Sequence, residues 1–88
     1  MHLNTIRKRI DVIDRTIVEL IAERQSYMAE MGKYKRAHEL PYYQPKREKE
    51  ILKSKGELAS ARGVDAVLIK KIFLLIFKNS RRIQKELQ

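Results

Sequence analysis

The sequence has no cysteine, which excludes a disulfide-stapled mini-protein and a thiolate metal centre. Two histidines are too few for an ordinary zinc site, so no metal is expected. No apolar run approaches the roughly 18 residues of a membrane span, and the N-terminus lacks a signal-peptide core. A soluble, cytoplasmic protein that is not embedded in a membrane is therefore expected. Three glycines and two prolines in 88 residues leave few places to turn, and no strand pattern, internal repeat or low-complexity tract is present. Negative charge is also scarce: eleven Asp+Glu face twenty Lys+Arg, a net charge of +9. That imbalance favours an anionic partner, whether nucleic acid, membrane surface or small polyanion. Hydrophobic residues make up 43% of the chain, too many for a disordered tail. The length suggests one domain, small for a self-sufficient core.

The punctuation falls at Leu40-Pro41 to Gln44-Pro45 and at Arg62-Gly63. Between these points the pattern is helical. It predicts helices over about 4–38, 45–61 and 65–87. Leu40 precedes a proline and is biased away from helix. Pro45 suits a first helical turn, where its missing N–H lacks an intrahelical partner anyway. Asp65 is the expected N-cap of the third helix.

The first helix carries a heptad seam: Leu3, Ile6, Ile10, Ile13, Ile17 and Leu20 follow at alternating spacings of three and four. In register the seam continues through Arg24, Tyr27, Met31, Tyr34 and His38. A helix of about 35 residues is about 50 Å long, whereas a compact domain of this size has a radius of gyration of about 12–13 Å. The helix must project, and its apolar seam needs another chain to cover it. Helix 3 is apolar over much of its surface, from Val67 to Phe77, and helix 2 offers Ile51, Leu52, Leu58 and Ala59 to the core. The expected fold is all-α: a three-helix chain with a very long first helix, intertwined as a homodimer.

Polar residues interrupt these apolar stripes. Arg24 occupies a seam position, where an unpartnered guanidinium costs several kcal/mol. It either snorkels or pairs with a carboxylate such as Glu48, or it belongs to an anion site inside the bundle. Lys35 lies eleven residues on, within roughly 20° of the same helix face and about 16 Å along the axis. Ser80 and Gln84 extend the Phe73, Phe77 stripe of helix 3, where they are either a polar end or part of a site. Glu48 could serve the helix dipole alone, and Arg7 could be one more solvated base beside Lys8 and Arg9.

Taken together, Arg7, Arg24, Lys35, Arg47-Glu48, Ser80 and Gln84 resemble the type II, all-helical chorismate mutases. The stretches Ile10-Asp11-Val12-Ile13-Asp14, Ala22-Glu23-Arg24, Gly32-Lys33-Tyr34-Lys35 and Pro45-Lys46-Arg47-Glu48-Lys49-Glu50 strengthen the likeness. It covers nearly the whole chain, so 1–88 reads as one such domain. The resemblance implies an intertwined dimer whose two active sites each take Arg7 from one subunit and the remaining residues from the other. Arg7 and Arg24 are about 25 Å apart along one helix, too far to grip one small molecule unless two copies pair antiparallel.

The implied activity is conversion of chorismate to prephenate, a Claisen rearrangement in the biosynthesis of aromatic amino acids. It needs no nucleophile, metal or organic cofactor. By similarity, Arg7 and Arg24 each pair with a substrate carboxylate, for which planar forks suit better than ammonium groups. Lys35 and Gln84 donate to the ether oxygen as it becomes negative, Glu48 accepts from the ring hydroxyl, and Ser80 bonds the ring side. Arg47 is expected to orient Glu48 or add to the positive field. Gln44 departs from the pattern, since family members commonly have aspartate just before helix 2. It caps poorly and makes the site more positive. The length predicts no appended regulatory or prephenate-processing domain.

Isochorismate-pyruvate lyases share this fold and a similar arginine, lysine and glutamine set, although Ser80 and Arg47-Glu48 look more like the mutase. Mutases acting on the amino analogue of chorismate are a further relative. A basic helical dimer could instead enter a nucleic-acid groove, yet the charges are spread over all three helices and leave Arg24 in the seam unexplained. Nucleic acid is therefore not the expected partner. A pure dimerisation module is the remaining alternative.

Overall fold

A computed structural model describes residues 1–86. It consists of three helices, α1 (Leu3–Ala37), α2 (Pro45–Ala61) and α3 (Ala66–Glu86), with no strand among the described residues. The expected bounds hold to within a residue, except that Leu87 lies outside the described residues. No helix among them is long and apolar enough to cross a membrane.

Each end has a local cause. The Nδ1 of His2 accepts from the Asn4 N–H at 3.2 Å and caps α1. At its far end Glu39 adopts φ 55°, and the N–H groups of Glu39 and Leu40 bond the carbonyls of Arg36 and Lys35 at 3.2 and 2.7 Å. That pattern is a Schellman motif. The same motif ends α2, with Gly63 at φ 71° and Val64 N–H bonded to the Ala59 carbonyl at 2.8 Å. Pro45 opens α2, whereas the Gln44 side chain makes no capping bond. Asp65 caps α3 through Oδ1, 2.9 Å from the Val67 N–H.

α3 packs against both α1 and α2, and those two helices do not pack on each other. The α1–α3 crossing is close at Gly32, where an added Cβ would lie 3.0 Å from the Gln84 Cα. Among the described residues Ala59 and Phe77 are the buried apolar side chains, while Lys35, Ser80 and Gln84 are buried too. The expectation that Leu58 joins the core is corrected, for it is 50% exposed. It sits one residue from Ala59, about 100° around the helix and off the α3 face.

The molecule measures 55 × 23 × 14 Å, with a radius of gyration of 16.1 Å, against about 12 Å for a compact chain of this length. Its accessible surface is 7205 Å², whereas a folded monomer of this mass exposes about 5400 Å². On α1 every residue up to Glu23 is exposed, including the whole seam from Leu3 to Leu20, and α3 adds Val67, Leu68, Leu74 and Leu75 to the exposed apolar surface.

Candidate active site

Because α1 and α2 stand apart with α3 behind them, a cleft opens between the two. It has a volume of about 310 Å³, within the small-molecule range. α1 contributes Arg24, Tyr27, Met28, Met31 and Lys35, α2 contributes Arg47, Glu48 and Ile51, and α3 supplies Phe77, Ser80, Arg81 and Gln84. Tyr42 and Gln44 come from the connection between α1 and α2. Seven of the eight residues singled out from the sequence line this cleft. Arg7 does not. It sits on the exposed part of α1, about 25 Å from Arg24 along the helix.

Four cations and one carboxylate face the cleft, a net charge of +3. At its centre the Lys35 ammonium donates to Gln84 Oε1 at 2.7 Å and reaches the Tyr42 carbonyl at 3.4 Å. Lys35 and Gln84 are 7% and 5% exposed, so a lysine charge is held in the interior without a direct ion pair. Burial pushes the Lys35 pKa down, and the carboxylate of Glu48 opposes that shift. The amide nitrogen of Gln84 is 3.5 Å from the Met28 sulfur. Close approach of α1 to α3 at Gly32 places both groups, because it brings the Gln84 backbone against α1 one turn before Lys35.

Arg24 donates through Nη1 to Gln25 Oε1 at 2.8 Å and Ser80 Oγ at 3.1 Å, and its guanidinium carbon is 5.8 Å from the Phe77 ring centroid. Burial, and after it the charge of Arg47, lower the Arg24 pKa. Pairing of Arg24 with Glu48 is not what forms. Glu48 is taken by Arg81, whose Nη1 lies 2.6 Å from Oε1 and 2.7 Å from Oε2. Nor does Arg47 orient Glu48: it reaches Glu50, 3.7 Å away at i+3, and acts on the cleft through its charge. Ser80 is no frayed polar end. It is 4% exposed and donates to the Ile76 carbonyl at 2.8 Å.

Among the polar residues that build this site, Tyr42, whose carbonyl meets Lys35, Gln25 and Arg81 escaped the sequence reading. Gln25 Nε2 donates to Ser80 Oγ and Asn79 Oδ1, both at 2.9 Å, and so fixes the hydroxyl that meets Arg24. Arg81 looks like one of a basic pair at the end of an apolar helix. The only signal for it is position, one turn after Phe77 and next to Ser80. A wider groove of about 630 Å³ between α2 and α3 presents Lys49, Lys53 and Lys70 with Glu57. It contains no arginine fork and lies outside the α1–α2 gap.

A cleft of this kind suits a small polyanion with a reacting atom that gains negative charge, which buried donors stabilise. The sequence model described as chorismate mutase type II matches residues 6–85. The chain is 36% identical to a chorismate mutase of Methanocaldococcus jannaschii, over 96% of this chain and 85% of that protein. It is 35% identical to the T-protein of Enterobacter agglomerans over 90% of this chain and 21% of that protein. It is 25% identical to the 4-amino-4-deoxychorismate mutase of Streptomyces pristinaespiralis over 96% of this chain and 65% of that protein. The chain thus spans about a fifth of the length of the T-proteins it matches. With the family's sequence model covering nearly its full length and a cationic cleft between its helices, this all-helical chain belongs to the type II chorismate mutase family.

Proposed function

We propose that the protein is a chorismate mutase, converting chorismate to prephenate at a site shared between two copies of the chain. The observation that carries this reading is the buried Lys35–Gln84 pair, 2.7 Å apart, at the floor of a cleft with net positive charge. The rearrangement breaks an ether C–O bond in a substrate that must first fold into a chair-like conformer. Restraint and fixed donors are what it requires. Lys35 has three N–H donors, and two meet the Gln84 amide oxygen and the Tyr42 carbonyl. The third serves the ether oxygen. Holding Gln84 by its oxygen leaves the amide nitrogen, 3.5 Å from the Met28 sulfur, with a second N–H to offer the substrate. Each such donor is typically worth about 3–4 kcal/mol in the transition state.

Arg24, oriented by Gln25 and Ser80, takes one substrate carboxylate, and Arg7 of a second copy takes the other. Glu48 accepts from the ring hydroxyl, Ser80 bonds the ring side, and Gln44 contacts substrate beside the α2 N-terminus. Arg47 adds positive potential. What supports the second copy is the bare seam of α1 together with roughly 1800 Å² of surplus surface, on the scale an obligate dimer buries per subunit. Antiparallel pairing of two such seams sets Arg7 of one chain near Arg24 of its mate.

Incubation of the purified protein with chorismate should yield prephenate. Salicylate and pyruvate from isochorismate, with no prephenate from chorismate, would assign the lyase reaction instead. For the shared site, inactive Arg7→Ala chains mixed with inactive Lys35→Ala chains should recover part of the native activity through hybrid sites. Heterodimers without activity would show that Arg7 acts elsewhere.

A further inference from the structure

The reaction scheme gives Arg81 no part, yet Arg81 is the partner of a substrate-facing carboxylate. Its Nη1 sits astride Glu48, 2.6 Å from Oε1 and 2.7 Å from Oε2. The guanidinium carbon lies 4.9 Å from the Tyr43 ring centroid, so the chain between α1 and α2 backs it. The two side chains are 31% and 19% exposed, and both line the cleft. The pair therefore joins α3 to α2 at the edge of the cavity, facing the ligand.

A bare carboxylate accepts from any donor, and it binds a charged donor more strongly than a neutral one. Paired with Arg81, the Glu48 corner has no net charge. A neutral hydroxyl still finds lone pairs on the carboxylate, but an ammonium at the same ring position would also meet a guanidinium at short range. Like charges set side by side are strongly disfavoured. Gln44, one turn before Glu48 on the same wall, adds no negative charge to offset this.

We infer that Arg81 is a specificity-determining positioning residue: it holds Glu48 and neutralises it, so that the site selects a hydroxyl over an ammonium on the substrate ring. The inference rests on the chorismate mutase reading and adds to it a choice between two substrates. Among relatives, a protein 25% identical to this chain carries the name 4-amino-4-deoxychorismate mutase, so one fold accommodates both substituents. Discrimination of this sort comes from a repulsive element as much as from an attractive one.

The test is kcat/KM for chorismate and for 4-amino-4-deoxychorismate at pH 7, where a primary amine is largely protonated, with the native chain, Arg81→Met and Arg81→Lys. The ratio of the two constants does not depend on how much protein is folded, so it separates this role from simple bracing of α2 on α3. The native chain should prefer chorismate. Arg81→Met should move the ratio toward the amine by about tenfold or more, while Arg81→Lys, which keeps the charge, should retain most of the preference. If the methionine variant does not accumulate, Arg81→Gln is judged on the same ratio. A ratio unchanged within about twofold in the neutral variants, or one that shifts equally in the lysine variant, overturns the inference while leaving the mutase reading intact. Turnover of neither substrate by the native chain overturns both.

Discussion

Lys35 shows how a single side chain can couple activity and stability with opposite signs. Its ammonium is buried against Gln84 rather than a carboxylate, and burial lowers its pKa, with Glu48 opposing. Since the folded value lies below the unfolded one, the cost of holding the charge is present in full at lower pH. As pH rises through the folded value, the folded state releases its proton first. The unfolded state then binds more protons and stability increases. Activity should move the other way, because a neutral amine gives up the positive charge that the developing oxyanion needs. In free enzyme, kcat/KM should therefore fall at a pH below the ordinary lysine value, while the urea midpoint climbs across the same interval. The limb of kcat should lie at higher pH, since a bound dianion favours the ammonium form. An activity loss accompanied by a falling midpoint would mean alkaline unfolding and would remove Lys35 from the profile. At this scale the sequence is partly legible. Arg24, Ser80 and Gln84 stand out as polar residues on apolar stripes. Gln25 and Arg81 do not, because their partners are 55 and 33 residues away in sequence and no periodicity links them.

The helices were legible almost to the residue because local chemistry sets their ends. Pro45, Asp65 and Gly63 each carry a turn or cap signal of their own. The stop of α1 is less transparent, as a glutamate takes the left-handed position that glycine normally fills. Only the following Leu40-Pro41 betrays it. What could not be read was how closely the helices approach, and two glycines show why. At Gly32 a Cβ would lie 3.0 Å from the Gln84 Cα and 3.1 Å from its carbonyl oxygen. Backbone cannot rotate aside, so α1 and α3 must separate. Gly32→Ala should cost about 1–3 kcal/mol by overpacking, and by displacing Gln84 from Lys35 it should lower kcat about tenfold or more. At Gly56 the nearest atom is the Lys70 Cε, 2.6 Å away, the far end of a flexible side chain that can swing out. Gly56→Ala should then gain about 0.5–1 kcal/mol from helix propensity with turnover unchanged. Denaturant midpoints and steady-state kinetics on the two variants check both signs. Equal effects would mean that neither glycine is kept for close packing.

At the scale of the whole molecule, one chain is a scaffold without a core. Ala59 and Phe77 are the buried apolar side chains among the described residues, far short of what a stable domain needs against the entropy of ordering three helices. The apolar material exists, but it is on the outside: Ile6, Ile10, Ile13, Ile17 and Leu20 are 39–58% exposed along one face of α1. Covering such side chains yields on the order of 1 kcal/mol each, and twofold pairing counts every one twice. The length of α1 and its heptad made this mismatch readable from sequence. The direction in which a second copy would pair was not readable, because a seam specifies a contact without specifying its direction. Ile13, mid-seam and 57% exposed, is where a charge should do most harm. In the proposed dimer Ile13→Lys buries an ammonium against the apolar seam of the second copy, so sedimentation should show a single unfolded or partly folded chain where the native protein is expected to sediment as two. Chorismate turnover should vanish with the dimer, since Arg7 and Arg24 then have no means of meeting on one substrate. Arg15→Ala, on the opposite face of the same helix, should leave both the mass and the turnover near native. A native chain that sediments at 10.5 kDa and still turns over chorismate would mean that one copy grips the substrate without Arg7. The bare seam would then need a different explanation.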